Sequence, residues 1–148
     1  MTDATEKLIR ELSLILDKHK YLMLSGGMAV GKTYLASIIA ERLALPEYDA
    51  QGRLPEDRER YDVITEIVPI HPSFSYEDFV TGISVDTVDG QAVFCHEDKI
   101  FLSMLKQARE SWSRNEAGKY VIILDDIGRG FISGILGDML PLMEPHGN

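Results

Sequence analysis

A single cysteine, Cys95, stands among 148 residues. An internal disulfide is therefore excluded, and no Cys/His cluster with metal-ligand spacing is present. Cys95 reads as a small packing residue. No apolar run approaches the roughly 18 residues that span a bilayer. The opening MTDATEKLIREL is charged where a secretion signal would be apolar, so no membrane role and a cytoplasmic location are expected. Basic residues are also scarce, 15 Lys and Arg against 24 Asp and Glu, for a net charge of −9. Non-specific nucleic-acid affinity comes largely from Lys and Arg neutralising phosphates. Any contact with DNA is thus expected only through other domains or partners.

What is present is one domain's worth of chain with alternating helical and strand patterns. Leu8, Leu12, Ile15 and Leu16 recur at helical spacing and predict a helix over 2–18. The short apolar run 20–25 predicts a buried strand that ends at glycines. A helical pattern follows over 31–45 and stops at Pro46. Residues 46–60 are polar and broken by prolines, as in a surface connection.

A second strand is expected over 61–70, then a short helix with Ser75 and Asp78 as its capping box. Residues 83–94 alternate around Asp89-Gly90, a strong hairpin signal. A helix over 97–114 carries Ile100, Phe101, Met104, Leu105 and Ala108 on its apolar face. Residues 119–124 (KYVIIL) predict a third buried strand. Residues 130–143 predict a weak helix, interrupted by Gly134 and Gly137. Strands separated by helices imply an α/β layer with a mostly parallel sheet, which binds ligands at the carboxyl ends of its strands.

Two motifs carry chemistry. Gly26, Gly27, Met28, Ala29, Val30, Gly31, Lys32 and Thr33 match the pattern G-x-x-x-x-G-K-[ST]. Such a loop curls so that successive N–H groups face phosphate oxygens, and the following helix adds its positive end. Together with Tyr34, these residues form the expected nucleotide cradle. Lys32 is expected to reach the β- and γ-phosphates, and Thr33 to give its hydroxyl to Mg²⁺. A chance glycine turn before a helix is the bland alternative, and the flanking strand and helix patterns argue against it.

The second motif is the apolar strand that ends in Asp125 and Asp126. Asp125 fits the carboxylate that holds Mg²⁺, and Asp126 the acid that orients or deprotonates the attacking water. Against this, acids often end buried strands simply because the chain emerges into water.

HPSFSYEDFVTG, DKIFLSMLKQAR and VIILDDIGRGFISGILGDMLPLMEP together resemble the AAA+ GTPase subunit of McrB-type restriction systems. The resemblance runs over about residues 21–145. It implies a P-loop NTPase of AAA+ type, a three-layer αβα sandwich cut short before its C-terminal strands and lid. On this reading residues 1–148 form one partial nucleotide-binding domain. Residues 1–19 are its N-terminal helix and 20–148 its core, with a hairpin insert near 83–94. The resemblance also implies GTP or ATP as substrate with Mg²⁺, self-association into a ring, a hexamer in the full-length protein, and a McrC-like nuclease partner.

The sequence departs from that family in places. The usual Asp-Glu-Ile-Asn-Arg is here Asp125, Asp126, Ile127, Gly128 and Arg129. Ala29 stands where Gly is frequent and Gly27 where Pro is common. Binding should survive these changes, while hydrolysis should suffer from the shorter Asp126 side chain. Two other readings stay open: a nucleotide-responsive assembly module without catalysis, and a small P-loop metabolite kinase. The kinase reading lacks an arginine-bearing lid.

Weaker candidates are balanced between roles. His71 and Ser73 either lie near the active face or satisfy a turn. Tyr76 and Phe79 serve packing or a subunit interface. The hairpin is a ring's substrate loop or a plain excursion. Arg129 touches a neighbouring subunit's nucleotide or is simply solvated.

Overall fold

A computed structural model of the protein describes residues 3–44, 62–116 and 118–143. The expected connection over 46–60 lies outside the described residues. Helix α1 (Asp3–His19) packs on α2 (Lys32–Arg42). Its inward stripe is not the expected one. Ile9 and Ser13 are buried, whereas Leu8 and Ile15 are exposed. Ser13 tolerates burial because its hydroxyl donates to the Arg10 carbonyl at 2.9 Å. That local bond hides a polar residue on the face that hydrophobic spacing alone assigns to leucine.

Two parallel strands form the platform, β1 (Asp62–Pro69) and β4 (Gly118–Asp125), in register from Asp62↔Gly118 to Pro69↔Asp125. Side-by-side parallel strands need a long crossover. Here it contains α3 (Tyr76–Phe79), the antiparallel hairpin β2 (Thr81–Val88) and β3 (Gln91–Asp98), and α4 (Ile100–Ser113). The turn at Asp89 and Gly90 has φ of 53° and 78°, the positive pair that a two-residue hairpin needs. The hairpin is longer than expected, and Glu97 and Asp98 belong to β3 rather than to the helix.

Two strand expectations are corrected. Residues 20–25 are not a strand: among the described residues they have no ladder partner, and Met23 is 75% exposed. Strand propensity cannot make a strand without a neighbouring backbone to bond. The layer sheet among the described residues is parallel as expected, with two strands, and the inserted hairpin forms a separate antiparallel pair. β4 is half-buried rather than fully buried.

The core gathers Val68 of β1 and Ile70 just past it, Phe79 of α3 and Val80 just past it, and Ile135 and Leu136 from α5 (Ile132–Leu136). Phe79 stacks obliquely between Phe74 and Phe101, with ring centroids 6.4 and 5.6 Å away. Tyr76 packs against the same cluster. These aromatics do the packing work expected of them. The expected helix over 130–143 is split into α5 and a 3₁₀ segment, Gly137–Met143. The break falls at Gly137, whose φ of 48° few other residues adopt.

α3 is held at its start by the expected cap. Ser75 donates its backbone N–H to Asp78 Oδ2 at 2.9 Å and its hydroxyl to the same oxygen at 3.0 Å. The backbone bond first, then the hydroxyl, hold the Asp78 carboxyl below its ordinary value of 3.8. A lowered carboxyl pKa contributes stability above the unfolded value, and that stability fades as pH falls through the folded one.

Two predictions follow from this packing. Asp78→Asn is expected to lower the urea midpoint at neutral pH, with the difference from wild type closing below about pH 4. At Gly130 an added Cβ would lie 2.4 Å from Ile70 Cγ2 and 2.9 Å from Ile135 Cδ1, both in the buried core. Gly130→Ala is therefore expected to cost about 1–3 kcal/mol of unfolding free energy, as overpacked cores do.

Candidate nucleotide site

The glycine loop turns into α2 at Gly31, whose φ of 85° places it in the left-handed region that suits glycine. Ala29 also has a positive φ, 57°. Its Cβ makes that conformation costly, and here the loop carries strain. The side chains of Met28, Val30 and Tyr34 face solvent.

Lys32 turns its ammonium back on the loop, donating to the carbonyls of Gly27 at 2.7 Å and Gly26 at 3.2 Å. The loop and its lysine thus form one closed local unit. Leu35 N–H bonds the Gly31 carbonyl at 2.9 Å, so the first turn of α2 is anchored to the same glycine.

Thr33 leaves the loop and donates its hydroxyl to Asp125 Oδ1 at 2.7 Å. The two residues are 92 apart in sequence. The same oxygen accepts the Asp126 backbone N–H at 3.1 Å. The carboxyl end of β4 is therefore fastened to the start of α2. A hydroxyl and a carboxylate oxygen side by side are the donor set that hard divalent cations take.

Asp126 caps a 3₁₀ turn, Ile127–Arg129, in the left-handed region with φ 54°. Aspartate adopts that region more readily than glutamate. Its Oδ2 is ion-paired with Arg129 Nε at 3.2 Å. This i,i+3 pair is more than half exposed on both sides, and such pairs contribute little to stability. It nevertheless engages the acid proposed from sequence. A Cβ added to Gly128 would meet nothing within 4 Å.

The structure joins Thr33 to Asp125, while the Lys32 ammonium lies on the loop carbonyls and the Asp126 carboxylate on Arg129. His71 and Ser73 are placed differently. His71 Nδ1 lies 3.0 Å from Ser73 Oγ and its ring meets Phe74 edge-on at 5.4 Å, so the two polar groups satisfy the turn after β1. The Ile70 N–H bonds the Asp125 carbonyl at 2.9 Å, which sets that turn beside the end of β4. The left-handed backbone of Ala29 and Asp126 and the partnering of Asp126 by Arg129 were not legible in the sequence. Only an Asp followed three residues on by an Arg hinted at the last.

A glycine loop opening a helix, tied by its threonine to a carboxylate at the end of a parallel strand, is compatible with the P-loop class of α/β domains. Over 125 residues, 84% of its length, the chain is 34% identical to the Type IV methyl-directed restriction enzyme EcoKMcrB subunit of Escherichia coli (strain K12). The chain is a McrB-type homologue. The matched stretch is 23% of that relative's length. No protein-family model matches the chain. Among the described residues, no helix is long and apolar enough to cross a membrane.

The strain at Ala29 yields a test. Ala29→Gly is expected to raise unfolding free energy by about 1 kcal/mol, the cost of a Cβ in the left-handed region less the entropy glycine adds to the unfolded chain. A urea titration of both proteins reads the difference.

Proposed function

We propose that this chain is part of the AAA+ core of a McrB-like restriction subunit and binds a nucleoside triphosphate with Mg²⁺ to hydrolyse it. The observation that carries the reading is the Thr33–Asp125 hydrogen bond, which joins the loop motif to the acidic strand end. In this reading Gly26 through Tyr34 cradle the phosphates, with loop N–H groups and the α2 terminus supplying positive potential. Lys32 exchanges its carbonyl partners for phosphate oxygens. Thr33 and Asp125 hold Mg²⁺, which, when bound, would neutralise charge on the phosphates. Asp126 positions the attacking water and draws its proton.

The family resemblance supports the remaining parts: GTP or ATP as substrate, assembly into a ring, a McrC-like nuclease partner, contact with DNA through other domains, and a cytoplasmic setting. A second reading, a nucleotide-responsive assembly module that hydrolyses poorly, is favoured by one observation. The Asp126 carboxylate is short and already engaged by Arg129.

Calorimetric titration with GTP and with ATP, each with Mg²⁺, tests the cradle. One nucleotide is expected to saturate a single site, and Lys32→Ala is expected to abolish the signal while retaining the fold by circular dichroism. Binding of neither by a folded chain would sink the reading. A well-placed general base is worth roughly 10²–10⁴-fold. Asp126→Glu combined with Gly128→Asn is therefore expected to raise turnover. Unchanged turnover in a protein that still binds nucleotide would favour the assembly module.

A further inference from the structure

From Lys32 to Ala40, every side chain of α2 but one is buried or half-buried. The exception is Tyr34, 73% exposed and next in the chain after Thr33. Met28 and Val30 on the glycine loop are exposed as well, at 89% and 65%. One exposed apolar side chain needs no explanation, whereas a group of them beside polar ligand groups is how small-molecule sites are lined. Among the described residues Tyr34 has no ring contact and no hydrogen bond. The fold makes no use of its aromatic ring.

The cradle has a direction. Thr33 and Asp125 form the proposed cation site, and the cation of such a site bridges the β- and γ-phosphates. The γ end of a bound triphosphate therefore lies at the carboxyl end of β4. The loop N–H groups take the α- and β-phosphates, so the nucleoside continues from the α-phosphate away from β4. Successive residues of a helix are turned by about 100° around its axis. Thr33 aims at β4, and Ile39 and Ala40 of the same helix are buried. Tyr34 stands on the solvent side of the first turn, the side on which the nucleoside leaves the cradle.

We propose that the Tyr34 ring stacks on the base of the bound nucleotide and favours a purine over a pyrimidine. Every base offers a π-face to an aromatic side chain, and the two-ring face of a purine is the larger. Guanine and adenine offer the same face, so Tyr34 does not choose between GTP and ATP. The N–H of Tyr34 belongs to the phosphate cradle, while its ring adds affinity for the base and none for the phosphates. This rests on the nucleotide reading of the site and names the side chain that meets the nucleoside.

Calorimetry with GTP, ATP, CTP and inorganic tripolyphosphate, each with Mg²⁺, separates base from phosphates. Wild type is expected to bind a purine nucleotide more tightly than CTP, and CTP more tightly than tripolyphosphate. Tyr34→Ala keeps the backbone N–H and is expected to weaken the purine nucleotide by about tenfold, with tripolyphosphate unchanged and the gap to CTP narrowed. Tyr34→Phe, which keeps the ring, is expected to bind as wild type does. Circular-dichroism melts of both variants should match wild type, because the ring is exposed. Equal losses for nucleotide and tripolyphosphate in Tyr34→Ala, or no loss for either, would overturn the proposal and leave the cradle standing. So would a wild type that binds tripolyphosphate as tightly as GTP and ATP. A wild type that binds none of the four would remove the nucleotide reading itself, and the stacking role with it.

Discussion

The hydrogen bond from Thr33 to Asp125 closes the structure on itself. It links the start of α2, and with it the glycine loop, to the carboxyl end of β4, bridging 92 residues of chain with one 2.7 Å contact. The bond involves a charged acceptor, which makes it stronger than a neutral one. Its partner groups are fixed in turn. β4 is in register with β1, the Asp126 N–H shares the Asp125 oxygen, and α2 is anchored at Gly31. The loop has no sheet ladder of its own among the described residues, because residues 20–25 leading into it are unpaired. The position of the loop relative to the acids therefore leans on this contact, on the packing of α2 against β1 and β4, and on α1. A further tie runs from Lys119 to Asp17 at 3.0 Å, from the start of β4 to the end of α1.

The site also shows how local backbone choices shape chemistry. Ala29 and Asp126 both sit in the left-handed region. Ala29 is strained there by its Cβ, whereas Asp126 is a residue type the region tolerates. The change from glutamate to aspartate, read against the McrB pattern, thus shortens the reach of the acid and also suits the turn it begins. The same turn places Arg129 against that acid.

Much of this was legible in the sequence. The G-x-x-x-x-G-K-[ST] spacing, the apolar strand ending in two acids, the Asp-Gly turn and the Ser75–Asp78 cap are short-range patterns. Their physics lies within a few residues: a phosphate-sized curl, a change from apolar to charged, a pair of positive φ angles, a reciprocal cap. The McrB likeness read from HPSFSYEDFVTG and its companions agrees with the 34% identity found over most of the chain. Less legible were burial and pairing. Leu8 and Ile15 were expected inside and lie outside, because Ser13 buries its hydroxyl on its own helix. KYLMLS was expected as a strand, yet hydrogen bonding depends on what lies alongside.

The sequence by itself singled out the residues proposed to meet a phosphate and a cation: Lys32, Thr33, Asp125 and Asp126, within a glycine loop and at a strand end. It determined the Asp89-Gly90 hairpin turn as well, since turn residues act through their own φ and ψ. Only the tertiary structure decided that Thr33 meets Asp125, that Asp126 is engaged by Arg129, and that the apolar faces of the hairpin and α4 stand uncovered. The first and last turn on distances between segments far apart in the chain, which residue type and spacing do not encode, and the Asp126–Arg129 pair turns on the left-handed backbone of Asp126.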